Sequence, residues 1–100
     1  KGVYLHPSLK AYVIEILDRT RSDARLMLGA SPRSGLQWAR AAKARAAMLG
    51  RDYVIPEDIA ALAVPVLAHR LIMANQRSDR RATSDVATDI VSRVPLPRRD

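Results

Sequence analysis

"SPRSGLQWARAAKARAAMLG", residues 31–50, carries both ends of one helix. Ser31 suits an N-cap and Pro32 the first helical position, where its missing N–H costs nothing. Gly50 suits the residue just past the end, where a left-handed backbone closes the helix. Between them lie 18 positions rich in Ala, and at 1.5 Å per residue the helix runs about 27 Å. Two residues sit badly in it. Gly35 costs about 1 kcal/mol relative to Ala inside a helix, and Arg33 lies against the positive end of the helix dipole.

On a wheel of 100° per residue, Arg33, Gln37, Arg40 and Ala44 share one side, with Lys43 on its flank. Trp38, Ala39, Ala42, Ala46 and Leu49 fall roughly opposite, and this face is expected to enter the core. The polar stripe has two readings. One is a solvated basic face on a core helix. The other is an anion site, because free N–H groups and the dipole at a helix start favour negative charge and a guanidinium adds a planar fork of donors matched to phosphate oxygens. Gly35 also has two readings: room for a ligand, or close approach of another helix.

The rest of the chain reads as helices around this one. "HPSLKAYVIEILDRT" places Leu9, Val13, Ile16 and Leu17 at helical spacing, with Pro7 at the first position. "RSDARLMLGA", residues 21–30, reads as a loop. "RDYVIPEDIAALA" reads as a turn, an extended piece and a helix opened by Pro56, with Glu57 and Asp58 at its positive end. Ile55 is a poor cap for it. Pro65 is expected to break that helix, leaving "VPVLAHRL" as a separate turn. "NQRSDRRATS" reads as a loop. "SDVATDIVSRV" then forms a short helix capped by Thr83 or Ser84, with Val86, Ile90 and Val94 on one stripe and Pro95 at its end. The fold class is all-α, a small bundle of four to five helices. Residues 1–76 form its body; the loop, closing helix and tail of 77–100 belong to the same unit.

Composition bounds the chemistry. One hundred residues with 48% hydrophobic side chains make one folded domain with a core of Ala, Leu, Val and Ile, since Phe is absent. The absence of Cys excludes disulfides and thiolate chemistry. No apolar run approaches the roughly 20 residues that span a bilayer, no signal peptide is visible, and a cytoplasmic origin is expected. The chain opens on Lys and reads as a piece of a larger protein. Of the net charge of +7, residues 21–51 hold +6, with seven basic residues against Asp23. That concentration suggests an anionic partner for one surface. His6 and His69 lack companions at metal spacing, so no metal site is expected. Asp18, Glu57 and Asp58 form no acid–base dyad, and no phosphate-cradling loop of the G-x-x-x-x-G-K-[ST] kind occurs.

Three short segments in order carry a resemblance: Gly29 to Arg33 (GASPR), Gly50 to Ile59 (GRDYVIPEDI) and Val66 to Arg70 (VLAHR). Together with the closing "TSDVATDIVSRVPLP" they resemble the C-terminal lid domain of MoxR-family AAA+ ATPases over nearly the whole chain. Ser34 departs from the family's Ala or Gly, and Ile55 from its usual Thr. The resemblance implies that Arg33 is the sensor-2 arginine, reaching the γ-phosphate of ATP bound on the ATPase core. Ser31, Pro32 and Gln37 then belong to the nucleotide-facing start of the helix. It implies Mg2+ held by the missing core, hexameric rings built from neighbouring subunits, and chaperone-like remodelling of partners, often with von Willebrand factor A domains. The Walker motifs are absent here, so this segment alone should not hydrolyse ATP. Two other readings remain: the lid of a magnesium-chelatase-like subunit, and a basic helical nucleic-acid-binding module using Arg40, Lys43 and Arg45.

Overall fold

Among the described residues of the computed structural model, the regular structure is four helices, one two-stranded pairing and one isolated bridge. The structure describes residues 2–28, 31–68, 72–73 and 80–97. Helix α1 spans Pro7–Ser22, strand β1 Leu26–Leu28, α2 Pro32–Met48, α3 Pro56–Ala68, strand β2 Ile72–Met73 and α4 Arg80–Arg93. β1 and β2 pair antiparallel, Leu26 with Met73 and Leu28 with Ile72. A second, isolated bridge joins Tyr4 to Tyr53 in parallel, closed by Tyr4 N–H to Asp52 O at 2.9 Å and Val54 N–H to Tyr4 O at 2.8 Å. The architecture is all-α; the Tyr4–Tyr53 bridge ties the chain before α1 to the turn after α2, and the β1–β2 pairing ties the segment after α1 to the one after α3.

The core follows the wheel of α2. Trp38, Ala42 and Ala46 are fully buried, and they meet Leu9, Tyr12, Val13, Ile16 and Leu17 of α1 together with Ile59, Ala63 and Leu67 of α3. Trp38 satisfies its indole by donating to Ile59 O at 3.1 Å, and its ring meets Tyr12 edge-on at 6.4 Å between centroids. The alanines let α1 and α3 approach α2 closely. Gly35 extends the same device: a Cβ there would stand 2.6 Å from Leu17 Cδ1 and 3.6 Å from Val13 Cγ1. Of its two readings, close helix packing is the one realised.

An Ala42→Leu substitution is therefore expected to cost about 1–3 kcal/mol through overpacking. Arg40→Ala, on the exposed side, should change stability by no more than about 0.5 kcal/mol. Urea denaturation of the two variants checks the orientation of α2, and the reverse order of effects would show the helix rotated.

Several expectations are corrected. Pro65 does not break α3, which continues to Ala68 with the proline inside. A mid-helix proline costs about 3 kcal/mol, but Ile59, Ala63 and Leu67 form a buried i, i+4, i+8 stripe on both sides of it, and packing both halves against α2 and α4 holds the helix together. Residues 21–30 are not all loop: Arg21 and Ser22 finish α1, and Leu26–Leu28 form β1. The strand carries no alternating pattern, so three apolar residues next to a glycine gave no strand signal. Helix α4 starts at Arg80, ahead of the expected Thr83 or Ser84 cap; Thr83 is instead a buried residue within it, on the same side as Val86, Ala87 and Ile90. Leu49 is not core. It follows the last turn of α2 and is 59% exposed. His69, Arg70 and most of the 77–81 loop lie outside the described residues.

The helix ends show how local chemistry replaces absent signals. His6 is the N-cap of α1, with Nδ1 accepting from Ser8 N–H at 3.0 Å. Gly50 adopts φ +82° past the end of α2, the left-handed position its sequence context demanded. At α3 the poor cap Ile55 is relieved from the other direction: the Asp58 carboxylate reaches back to accept the Ile55 N–H at 2.8 Å, the return half of a capping box.

Candidate functional site

The start of α2 is where the sequence placed its unusual residues. Ser31 holds an extended backbone (φ −84°, ψ 165°), and its carbonyl accepts Ser34 N–H at 2.9 Å. Its hydroxyl makes no capping hydrogen bond, so the expected side-chain cap is absent. The first turn holds Pro32 and Arg33 and no acidic residue. Ser31, Pro32, Arg33 and Gln37 are all exposed, and Arg33 makes no ion pair or side-chain hydrogen bond among the described residues. The structure thus brings the four predicted site residues to one open helix start. Ser34, next to Arg33, is buried at 2% exposure, which pins the turn to the body and leaves Arg33 projecting from a fixed point.

Farther along α2, the basic residues differ in exposure. Arg33 and Arg40 are exposed and Lys43 is half-buried. Arg45 is turned inward: its Nη1 donates to Asp58 Oδ1 at 2.5 Å. Arg51 completes the pairing, with Nη1 to Oδ2 at 2.7 Å and Nη2 to Oδ1 at 2.8 Å, a bidentate fork. Asp58 itself is fully buried. The Arg51 hydrogen bonds, aided by the Ile55 N–H and Arg45, outweigh burial and pull its carboxyl down to about 2. Sequence reading missed this cluster. The available signal was an acid at the third position of a helix lacking a good cap.

A second charged group lies at the far end of α1. Arg25 bridges Asp23 (2.7 Å) and Asp89 (2.9 Å), and Asp89 also accepts from Arg93 Nε at 3.1 Å, tying the α1–β1 turn to α4. The Arg25 guanidinium is thereby taken up by two carboxylates, and Arg93 shares one of them through its Nε. No cluster of three metal-ligating side chains occurs among the described residues, and none of the described helices is long and apolar enough to cross a membrane.

Residues 18–90 match the AAA lid domain family. The chain belongs to that family. The match runs from the end of α1 through the α2 start and the Asp58 cluster into α4, so the open helix start with Arg33 belongs to the lid itself. Among curated relatives, the lid is 36% identical to YeaC of Bacillus subtilis over 97% of its own length and 31% of that protein. It is 32% identical to Chaperone MoxR1 of Mycobacterium tuberculosis over 95% of its length and 28% of the relative. With Protein MoxR of Methylorubrum extorquens it shares 33% identity over 96% of its length and 32% of the relative. A crystal structure of a "putative ATPase" from Cytophaga hutchinsonii superposes with a TM-score of 0.81 at 32% identity, covering 97% of this chain and 32% of that one. The resemblance to MoxR-family lids therefore holds. The lid spans only about a third of the length of these relatives.

Proposed function

We propose that this lid serves a MoxR-like AAA+ ATPase by presenting Arg33 to the γ-phosphate of ATP. The observation that carries the reading is the open start of α2, where an unpaired, exposed Arg33 stands on the second helical residue with no acid and no side-chain cap beside it. The donor set fits a phosphate: the backbone N–H of Arg33, the positive dipole end and a planar guanidinium belong to one helix start, where Pro32 has no N–H and Ser34 N–H is taken by Ser31 O. Gln37, one turn on, adds an exposed amide on the same face. ATP would be held, with its Mg2+, by the larger part of the parent polypeptide. In this reading, contact between Arg33 and the terminal phosphate favours one lid orientation, and loss of that phosphate on hydrolysis removes the preference. The parent is a cytoplasmic, ring-forming ATPase, hexameric in this reading. It remodels or assembles other proteins, including ones with von Willebrand factor A domains. The inward turn of Arg45 removes one of three cations from a nucleic-acid-binding stripe, so the lid reading is preferred.

The test is steady-state ATP hydrolysis by the parent polypeptide carrying Arg33→Ala, beside a melting curve of each protein. A folded variant with wild-type turnover and nucleotide affinity would refute the assignment.

The lid alone should show no ATPase activity and bind ATP no more tightly than millimolar. One arginine on an open helix start offers about 1–3 kcal/mol of charge-assisted hydrogen bonding, whereas a millimolar dissociation constant already needs about 4 kcal/mol. Titration with ATP followed by amide chemical shifts checks this; micromolar saturation would contradict it.

A further inference from the structure

We propose that the Arg51–Asp58 fork is a latch. Closed, it fastens the segment before α1, Gly2–Leu5, to the body of the lid; opened, it releases that segment while the helices stay packed. Among the described residues, the segment's backbone is held by Tyr4 N–H to Asp52 O at 2.9 Å and by Val54 N–H to Tyr4 O at 2.8 Å. Val3 and Leu5 add only half-buried contact with the core, and Tyr4 is 58% exposed. The seat that receives the segment, residues 52–54, is irregular backbone between α2 and α3, so no helical ladder fixes it. Side chains fix it instead. Arg51 Nη1 donates to Tyr53 O at 3.0 Å, between the two seat groups that Tyr4 uses, and the same guanidinium grips both oxygens of the buried Asp58 carboxylate. Asp58 in turn holds Ile55 N–H at 2.8 Å, at the other end of the seat. The Arg51 backbone N–H, donating to Ala46 O at 2.9 Å, anchors the fork to the last turn of α2.

The attachments are unequal. Helix α1 keeps its own cap, because His6 serves it from its first turn. Trp38, Ala42 and Ala46 of α2 are buried in the core with residues of α1 and α3, away from the seat. Opening of the fork therefore loosens the seat and the segment on it, a local opening with a free energy below that of global unfolding. Released, the four residues span up to about 14 Å of chain that lies against the lid while the latch is closed. For a lid that reorients with its nucleotide, this slack sets how far it swings; that meaning rests on the proposed function, and the latch itself does not.

Hydrogen–deuterium exchange of the intact parent polypeptide, read by mass spectrometry without nucleotide, tests the latch apart from any role of Arg33. Arg51→Met removes the fork and the Tyr53 contact but leaves Asp58 with Arg45 and the Ile55 N–H. Peptides covering residues 2–6 and 52–55 should then exchange at least about tenfold faster, and the peptide covering 38–46 should stay within about twofold of wild type. Arg51→Lys keeps the charge without the planar fork and should fall between the two; it carries the same readout where Arg51→Met does not fold. Tyr4→Pro removes the N–H that binds Asp52 O, so it should free residues 2–6 while exchange at 56–60, the start of α3, stays within about twofold. Unchanged exchange of 2–6 in a folded Arg51→Met protein would overturn the proposal, because the segment would then be held without the fork. So would an equal rise at 38–46, which would make the fork a support of the whole lid. An equal rise at 56–60 in Tyr4→Pro would also overturn it, because the segment would then be holding the seat.

Discussion

Asp58→Ala is expected to destabilise the lid by about 3 kcal/mol, the lower part of the range for removing one partner of a buried ion pair. The carboxylate makes four contacts from a fully buried position: two to Arg51, one to Arg45 and one to the Ile55 N–H. These contacts tie the end of α2, the following turn and the first turn of α3 to one another. Truncation leaves the Ile55 N–H without its acceptor and sets two guanidiniums beside each other. The loss does not reach the top of the range because the Arg45 and Arg51 side chains keep 36% and 19% exposure and can be hydrated. Asp58→Asn preserves shape and one acceptor for the Ile55 N–H, so it should recover part of the loss, about 1 kcal/mol. Urea unfolding with a common slope measures both, and a cost below about 1 kcal/mol for the alanine variant would show that the cluster is no more than a surface ion pair.

The same group sets an acid limit. Its pKa in the folded lid, about 2, lies below the ordinary aspartate value of 3.8. Its contribution is therefore complete above about pH 4 and is lost as pH falls towards 2. The shift corresponds to about 2–3 kcal/mol at most, less after allowance for the partly exposed guanidiniums. The acid-induced loss of stability should be shallower in Asp58→Asn than in the wild type, by about that amount.

Much of this was legible from residue spacing because α2 announces itself at both ends. Pro32, the buried stripe of Trp38, Ala42 and Ala46, and Gly50 each had one physical reading, and the structure realises all three. The errors arose where a local rule met a tertiary one. Pro65 obeys its breaking tendency in isolation, yet a buried stripe spans it. Leu49 has the wheel angle of a core residue but follows the last turn, so periodicity no longer applies to it. The Asp58 cluster was invisible because its partners lie 7 and 13 residues away, across a turn whose geometry no helical period encodes.

In the parent polypeptide, Arg33→Ala is expected to lower ATP turnover by about 100-fold or more, since an arginine placed on a transferring phosphoryl group supplies several kcal/mol of charge stabilisation. Folding should be affected little, within about 0.5 kcal/mol, because an exposed cation in the first turn of a helix packs against nothing and opposes the dipole. This separation of effects distinguishes the proposed role from a merely solvated basic face. A solvated face would lose neither turnover nor stability. A packing role would lose both together. Arg33→Lys should restore only part of the activity, because an ammonium keeps the charge but not the planar fork of donors. Lys43→Ala, on the flank of the same helix and about three turns from its open start, should alter turnover far less. If Lys43→Ala proved as damaging as Arg33→Ala, the effect would follow from the net charge of α2, and the open helix start would lose its claim to the nucleotide.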